Sequence, residues 1–226
     1  MLRSSRLLAL LGLVLLSVPA LAQTPTWTEG QNYFLIQPAQ PSNAPAGKVE
    51  VTEVFSYACP ACNQFYPVMD RLKATLPGNA SVDYVAAAFN PAEDWPVFQR
   101  GFYTAQLLGV AERTHDAMFD AVWKSGELAV VDPVTHRLRN PVPTIEDLAD
   151  WYHRVAGVDK QHFLATAHSF SVDVKIRQAN ALVLAYQADS TPTLVVNGKY
   201  RLTPGSAGGY NQTIELVKYL VQRESH

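Results

Sequence analysis

The chain has 226 residues, 48% of them hydrophobic, with 18 basic against 20 acidic side chains and a formal net charge of −2. That length supports one large domain, or a core domain carrying a substantial insert. The mildly acidic balance, with no run of Lys and Arg, excludes an electrostatic footprint for nucleic acid.

Residues 1–22 have the three-part layout of a secretory signal peptide. Arg3 and Arg6 form a basic start, Leu7 to Val18 is an apolar run, and Ala20-Leu21-Ala22 supplies a small-x-small cleavage site. The apolar run is shorter than the roughly 20 residues an ordinary membrane anchor needs, although an uncleaved anchor is the alternative reading. The mature chain is expected to start near Gln23 and to carry a net charge of −4, because Arg3 and Arg6 leave with the signal. Export places it in an oxidising compartment where disulfides persist.

Residues 23–47, with Pro25, Pro38, Pro41 and Pro45, read as an N-terminal arm with one short strand around Tyr33 to Ile36. Residues 48–57, rich in Val and aromatics, read as a buried strand. Phe65, Met69 and Leu72 then recur at helical spacing. They predict a helix from Pro60 to Leu76, kinked by Pro67 and ended by Pro77-Gly78. Residues 81–89 read as a second strand, so the start of the fold is a βαβ unit.

Helices are predicted near 94–108, 112–124, 144–156, 159–168 and 171–188, with a proline-containing connection over 126–143. Thr144 and Asp147 resemble a capping pair. Strand character returns at 193–196, Asn197-Gly198 marks a tight turn, 199–202 returns, and a last helix covers 209–223. The expected division is therefore 48–90 with 189–226 as an α/β core, and 91–188 as a helical insert.

The chain has two cysteines, Cys59 and Cys62, separated by Pro60 and Ala61. A structural disulfide over so short a loop removes little unfolded-chain entropy. A zinc site would need two more ligands; no other Cys exists, and none of the six histidines forms a tight pair with the motif. No metal and no cofactor are expected. On the first turn of a helix, by contrast, the N-terminal sulfur faces free N–H groups and the positive end of the helix dipole. Both favour the thiolate. Pro60 suits that turn because its missing N–H had no partner there. Strand, Cys-Pro-x-Cys and helix in this order imply thiol–disulfide exchange.

The stretch VTEVFSYACPAC from Val51, the later STPTLVVNGKYRL and the terminal helix resemble the DsbA family of periplasmic dithiol oxidases. The resemblance implies a thioredoxin-like fold with an inserted all-helical domain. It makes Cys59 the exposed nucleophile and Cys62 its buried partner. Thr191-Pro192 matches the family's cis-proline loop, which lies against the dithiol and helps to hold substrate chains beside Pro60 and Ala61. Read from the residues alone, Pro192 is a strand start or turn. Glu53 matches the family's buried acid. Strand alternation already puts it on one face with Val51 and Phe55, where burial would raise its pKa; an edge-strand surface position is the alternative.

Two departures stand out. Ala61 replaces a His found in well-known members, and its side chain cannot donate a hydrogen bond to the Cys59 thiolate. A lysine that partners the buried acid in some members has no counterpart in the matching strand, where Asp83 and Tyr84 stand. The resemblance further implies a periplasmic, monomeric protein whose partners are unfolded or reduced secreted proteins and a quinone-linked membrane reoxidase, without nucleic acid. The rivals are a reductase or isomerase of the same compartment, and a chaperone-like binding module with an inert disulfide. Dimeric isomerases carry a dimerisation domain ahead of the catalytic one, a version disfavoured by the expectation of only about 25 mature residues before the first core strand.

Overall fold

The computed structural model describes residues 26–132 and 134–225, so the expected signal peptide and mature start lie outside the described residues. The centre of the molecule is β2, Val49–Phe55, in which all seven residues are buried. Covered on both faces, it buries Val49, Val51, Val54 and Phe55 and, with them, the polar Glu50, Thr52 and Glu53. It pairs in parallel with β3, Ala80–Ala86, and antiparallel with β4, Thr193–Val196. β5, Tyr200–Leu202, follows through the Asn197-Gly198 turn, and β1, Phe34–Leu35, closes the edge. The sheet order is β1-β5-β4-β2-β3.

Helix α1, Pro60–Thr75, makes the crossover from β2 to β3. It carries Pro67 in its interior and still runs unbroken between those ends. With α8, Tyr210–Glu224, it covers one face of the sheet. Phe65, Met69 and Leu72 meet Val217, Leu220 and Val221 over Val51, Leu194 and Val196. The fold is thus the expected thioredoxin-like sheet with its flanking helices.

The helical insert consists of α2 Trp95–Leu107, α3 Ala111–Trp123, α4 Ile145–Ala156, α5 Lys160–Ala167 and α6 Phe170–Ala185. Its apolar interior, including Phe98, Met118, Leu148, Tyr152 and Phe163, is continuous with Val54 and Val195 of the sheet. Thr144 and Asp147 form a reciprocal capping box at α4, and Asp159 and Ser169 cap α5 and α6. Gly101 is where α2 meets α4: a Cβ there would lie 2.3 Å from Leu148 Cδ2.

The elements differ from expectation at their margins. β3 ends at Ala86 rather than residue 89, because β2 itself stops at Phe55 and offers only its carbonyl to Ala87 N–H, at 2.8 Å. Beyond that the edge has no strand partner among the described residues, and Phe89 is exposed. Two short pieces were not anticipated: a 3₁₀ turn at Pro91–Glu93 and a four-residue helix α7, Pro204–Ala207, capped by Thr203. The connection between α3 and α4 contains a bridge between Val131 and Leu138.

Candidate active site

The chain leaves β2 at Phe55 and turns within three residues. Ser56 holds the turn, its carbonyl accepting from Cys59 N–H and its hydroxyl from Ala58 N–H, both at 3.2 Å. Cys59 is the N-cap of α1, with φ −83° and ψ 120°, and Pro60 begins the helix. No side chain caps this end. The N–H groups of Ala61 and Cys62 are therefore free to serve the Cys59 sulfur.

The two thiols are driven in opposite directions. The Cys59 thiol is lowered to about 6, first by a hydrogen bond from the Cys62 thiol and against the opposing effect of burial. The Thr191 side chain and the backbone N–H groups of Cys62 and Ala61 add to the lowering. Ala61 thus contributes through its backbone what its side chain cannot. Burial pushes the Cys62 thiol well above its ordinary value, and the hydrogen bond to Cys59 pushes it further.

Cys62 is fully buried, as expected. Cys59 is not the exposed residue expected: only 6% of it is accessible. The reason is tertiary. The Thr191 carbonyl lies over it and accepts from its thiol at 3.4 Å. Pro60 and Ala61 are the exposed residues of the motif. The Thr191–Pro192 peptide bond is cis and Pro192 is buried. Thr193 continues directly into β4, its hydroxyl donating to Ser190 O at 2.8 Å. The loop that meets the dithiol is therefore anchored in the sheet.

Glu53 lies in the middle of β2, only 1% accessible, in register with Tyr84 on one side and Leu194 on the other. Its Oε1 finds no hydrogen-bond partner among the described residues. Burial raises its carboxyl to about 8; Lys73 opposes the rise, and Cys59 and Asp70 add to it. The neighbouring strand offers Tyr84 rather than a lysine. The positive charge comes instead from α1, where the Lys73 ammonium sits 5.3 Å from the centre of the Tyr84 ring. Lys73 was not singled out in the sequence, because a lysine in the last turn of a helix has the pattern of a solvated residue.

A histidine also lies closer to the motif than spacing suggested. His115 of α3 pairs through Nδ1 with the Tyr57 hydroxyl at 2.9 Å, two residues before Cys59. Trp123, on the same helix, donates its indole N–H to the Tyr57 carbonyl at 2.7 Å.

A thiol pair at the head of a helix, with one sulfur at the N-cap under the Thr191 carbonyl and the other fully enclosed, is arranged for disulfide exchange. Set in a thioredoxin-like core, it defines a thiol–disulfide oxidoreductase. Comparison with known proteins carries this further. Residues 44–216 match a family model described as thioredoxin. The chain is 35% identical over 203 residues to the thiol:disulfide interchange protein DsbA of Pseudomonas aeruginosa, spanning 90% of this chain and 88% of that one. It is 36% identical over 195 residues to the DsbA of Azotobacter vinelandii, spanning 86% and 83%. Among solved structures, Pseudomonas aeruginosa DsbA superposes with a TM-score of 0.73 at 35% identity, covering 88% of this chain and 94% of that one. The Xylella fastidiosa oxidoreductase DsbA gives 0.75 at 33%, covering 88% and 97%. The chain belongs to the DsbA family.

Proposed function

We propose that this protein is a periplasmic dithiol oxidase that donates the Cys59–Cys62 disulfide to reduced secreted proteins. The observation that carries the direction of transfer is the placement of Cys59 at the uncapped head of α1 beside a fully buried Cys62, which shifts the two thiols in opposite directions. A stabilised Cys59 thiolate lowers the energy of the reduced enzyme, and that makes the disulfide an oxidant.

In the forward reaction a substrate thiolate attacks Cys59 Sγ. The Cys59–Cys62 bond breaks, Cys62 leaves with the electron pair, and a mixed disulfide joins Cys59 to the substrate. A second substrate thiolate then attacks the substrate sulfur and releases Cys59 as its thiolate. Cys62, whose pKa is high, takes up a proton on leaving and must lose it again when the enzyme is reoxidised. Glu53 moves that proton: it is buried on the strand that leads into the motif, and burial raises its carboxyl to about 8. An extended substrate chain pairs with the Thr191 backbone ahead of Pro192 and lies across the exposed Pro60 and Ala61. Backbone pairing of this kind binds without demanding one sequence.

The N-terminal leader supports export to the periplasm, and family membership supports a quinone-linked membrane reoxidase as partner of a monomeric enzyme. Oxidative refolding of a reduced, denatured substrate tests the reading. The oxidised wild type should supply about one disulfide per enzyme, with mixed disulfides on Cys59, while Cys59→Ser/Cys62→Ser supplies none. Equal refolding by the double variant would make the protein a binding module instead.

A further inference from the structure

We propose that α3 of the helical insert sets the position of the nucleophile: His115 and Trp123 are positioning residues that hold the Ser56–Ala58 turn, and through it Cys59. The inference rests on the reading of Cys59 as the attacking thiol.

Only three residues link the end of β2 to Cys59, so Cys59 goes where that turn goes. The middle one, Tyr57, is gripped twice by one helix. Trp123 fixes its carbonyl at 2.7 Å and His115 fixes its hydroxyl at 2.9 Å. The two side chains that hold it, His115 and Trp123, stand eight residues apart on α3, about 12 Å along the axis at 1.5 Å per residue. One helix thus holds both the backbone and the far end of the Tyr57 side chain.

The charge states in the lower bond follow from burial. His115 is 4% accessible and its imidazole is held down to about 3, chiefly by burial and secondarily by Lys73, so it is neutral. Burial pushes the Tyr57 hydroxyl well above its ordinary range, so it keeps its proton. Both groups are therefore neutral, and the Tyr57 hydroxyl and His115 Nδ1 share one hydrogen bond whose direction follows the imidazole tautomer.

Stability alone does not call for this arrangement. Phe55 and Phe119 pack edge-on around the Tyr57 ring at 5.0 Å, and two apolar side chains in place of Tyr57 and His115 would fill the same space without burying polar atoms. What the hydrogen bonds add is direction. The Trp123 bond fixes the plane of the Tyr57–Ala58 peptide, one residue from Cys59. That plane decides whether Sγ meets the N–H groups of Ala61 and Cys62. A turn freed from α3 lets the sulfur drift from those donors, and the thiolate loses part of its stabilisation.

Trp123→Phe keeps an aromatic ring and removes the indole donor; Tyr57→Phe keeps the ring and removes the hydroxyl. Phe163→Leu is the control, because Phe163 is buried in the insert on α5 and loosens it without touching the turn. The readouts are the pH dependence of alkylation, with the adduct mapped, and the equilibrium constant with glutathione. Both turn variants should raise the Cys59 titration midpoint by about half a unit, and shift the glutathione equilibrium about threefold toward a weaker oxidant. The control should lower the melting temperature and leave both readouts unchanged. Turn variants that titrate like wild type, or a control that shifts as far, would overturn the proposal. An adduct on Cys62 in the wild type would instead remove the role of Cys59 itself, and this inference with it.

Discussion

Replacing Glu53 by Gln keeps the size of the side chain and removes its titration, and the consequence for stability can be worked out from its position. In the folded protein the carboxyl titrates at about 8 against an ordinary 4.5. Between those values the unfolded chain has released the proton and the folded chain still holds it. The wild type therefore loses stability as pH rises from 4.5 toward 8, by about 1.4 kcal/mol per pH unit. The Gln variant has no such loss. Its advantage should be about 1 kcal/mol at pH 5 and grow to about 3 kcal/mol at pH 7, an upper figure because the amide N–H groups also need partners. Urea unfolding of the reduced proteins at pH 5, 6, 7 and 8 measures this directly. In the same variant, resolution of a mixed disulfide by stopped flow should be slower and should lose its titration near neutral pH. A stability difference that stays flat across the pH series would refute the assignment of a proton to buried Glu53, and superimposable rate profiles would leave it a structural residue.

Two further perturbations have definite signs. Ala61→His adds a side-chain donor beside the Cys59 sulfur; it should lower the Cys59 pKa by about one unit, about 1.4 kcal/mol in favour of the reduced form, and make the disulfide a stronger oxidant. Thiolate absorbance against pH and glutathione equilibration read the two effects, and identical curves would mean the backbone N–H groups already saturate the thiolate. Gly101→Ala places a methyl group 2.3 Å from Leu148 Cδ2 and should cost about 1–3 kcal/mol in thermal unfolding while the reduction potential is unchanged.

The core of the fold was legible because its signals are local. Val and aromatics mark β2, the 3–4 spacing of Phe65, Met69 and Leu72 marks α1, Asn197-Gly198 marks the hairpin, and Thr144 with Asp147 marks the start of α4. The short pieces, Pro91–Glu93 and Pro204–Ala207, offer fewer than two turns of periodicity and left no pattern to read. The site was legible to the extent that it is contiguous. Cys59, Pro60, Ala61 and Cys62 act within one helical turn. The contacts that tune them come from far along the chain: Thr191 lies 132 residues beyond Cys59, and His115 and Trp123 lie 58 and 66 beyond Tyr57. The same distance explains the low exposure of Cys59, which nothing in its own neighbourhood announces. Lys73 escaped for a different reason. It is exposed at the end of an amphipathic helix, and only the fold brings its charge toward Glu53.

The claim that the Cys59–Cys62 pair gives disulfides away is tested most directly by its standard reduction potential, from equilibration with glutathione at pH 7 and quantification of the reduced and oxidised forms. With the Cys59 thiolate favoured and Cys62 enclosed, the potential should be more oxidising than about −200 mV, so that the pair empties into substrate thiols. A potential near that of a thioredoxin-type reductant, about −270 mV, would contradict an oxidase and make the pair a source of electrons instead.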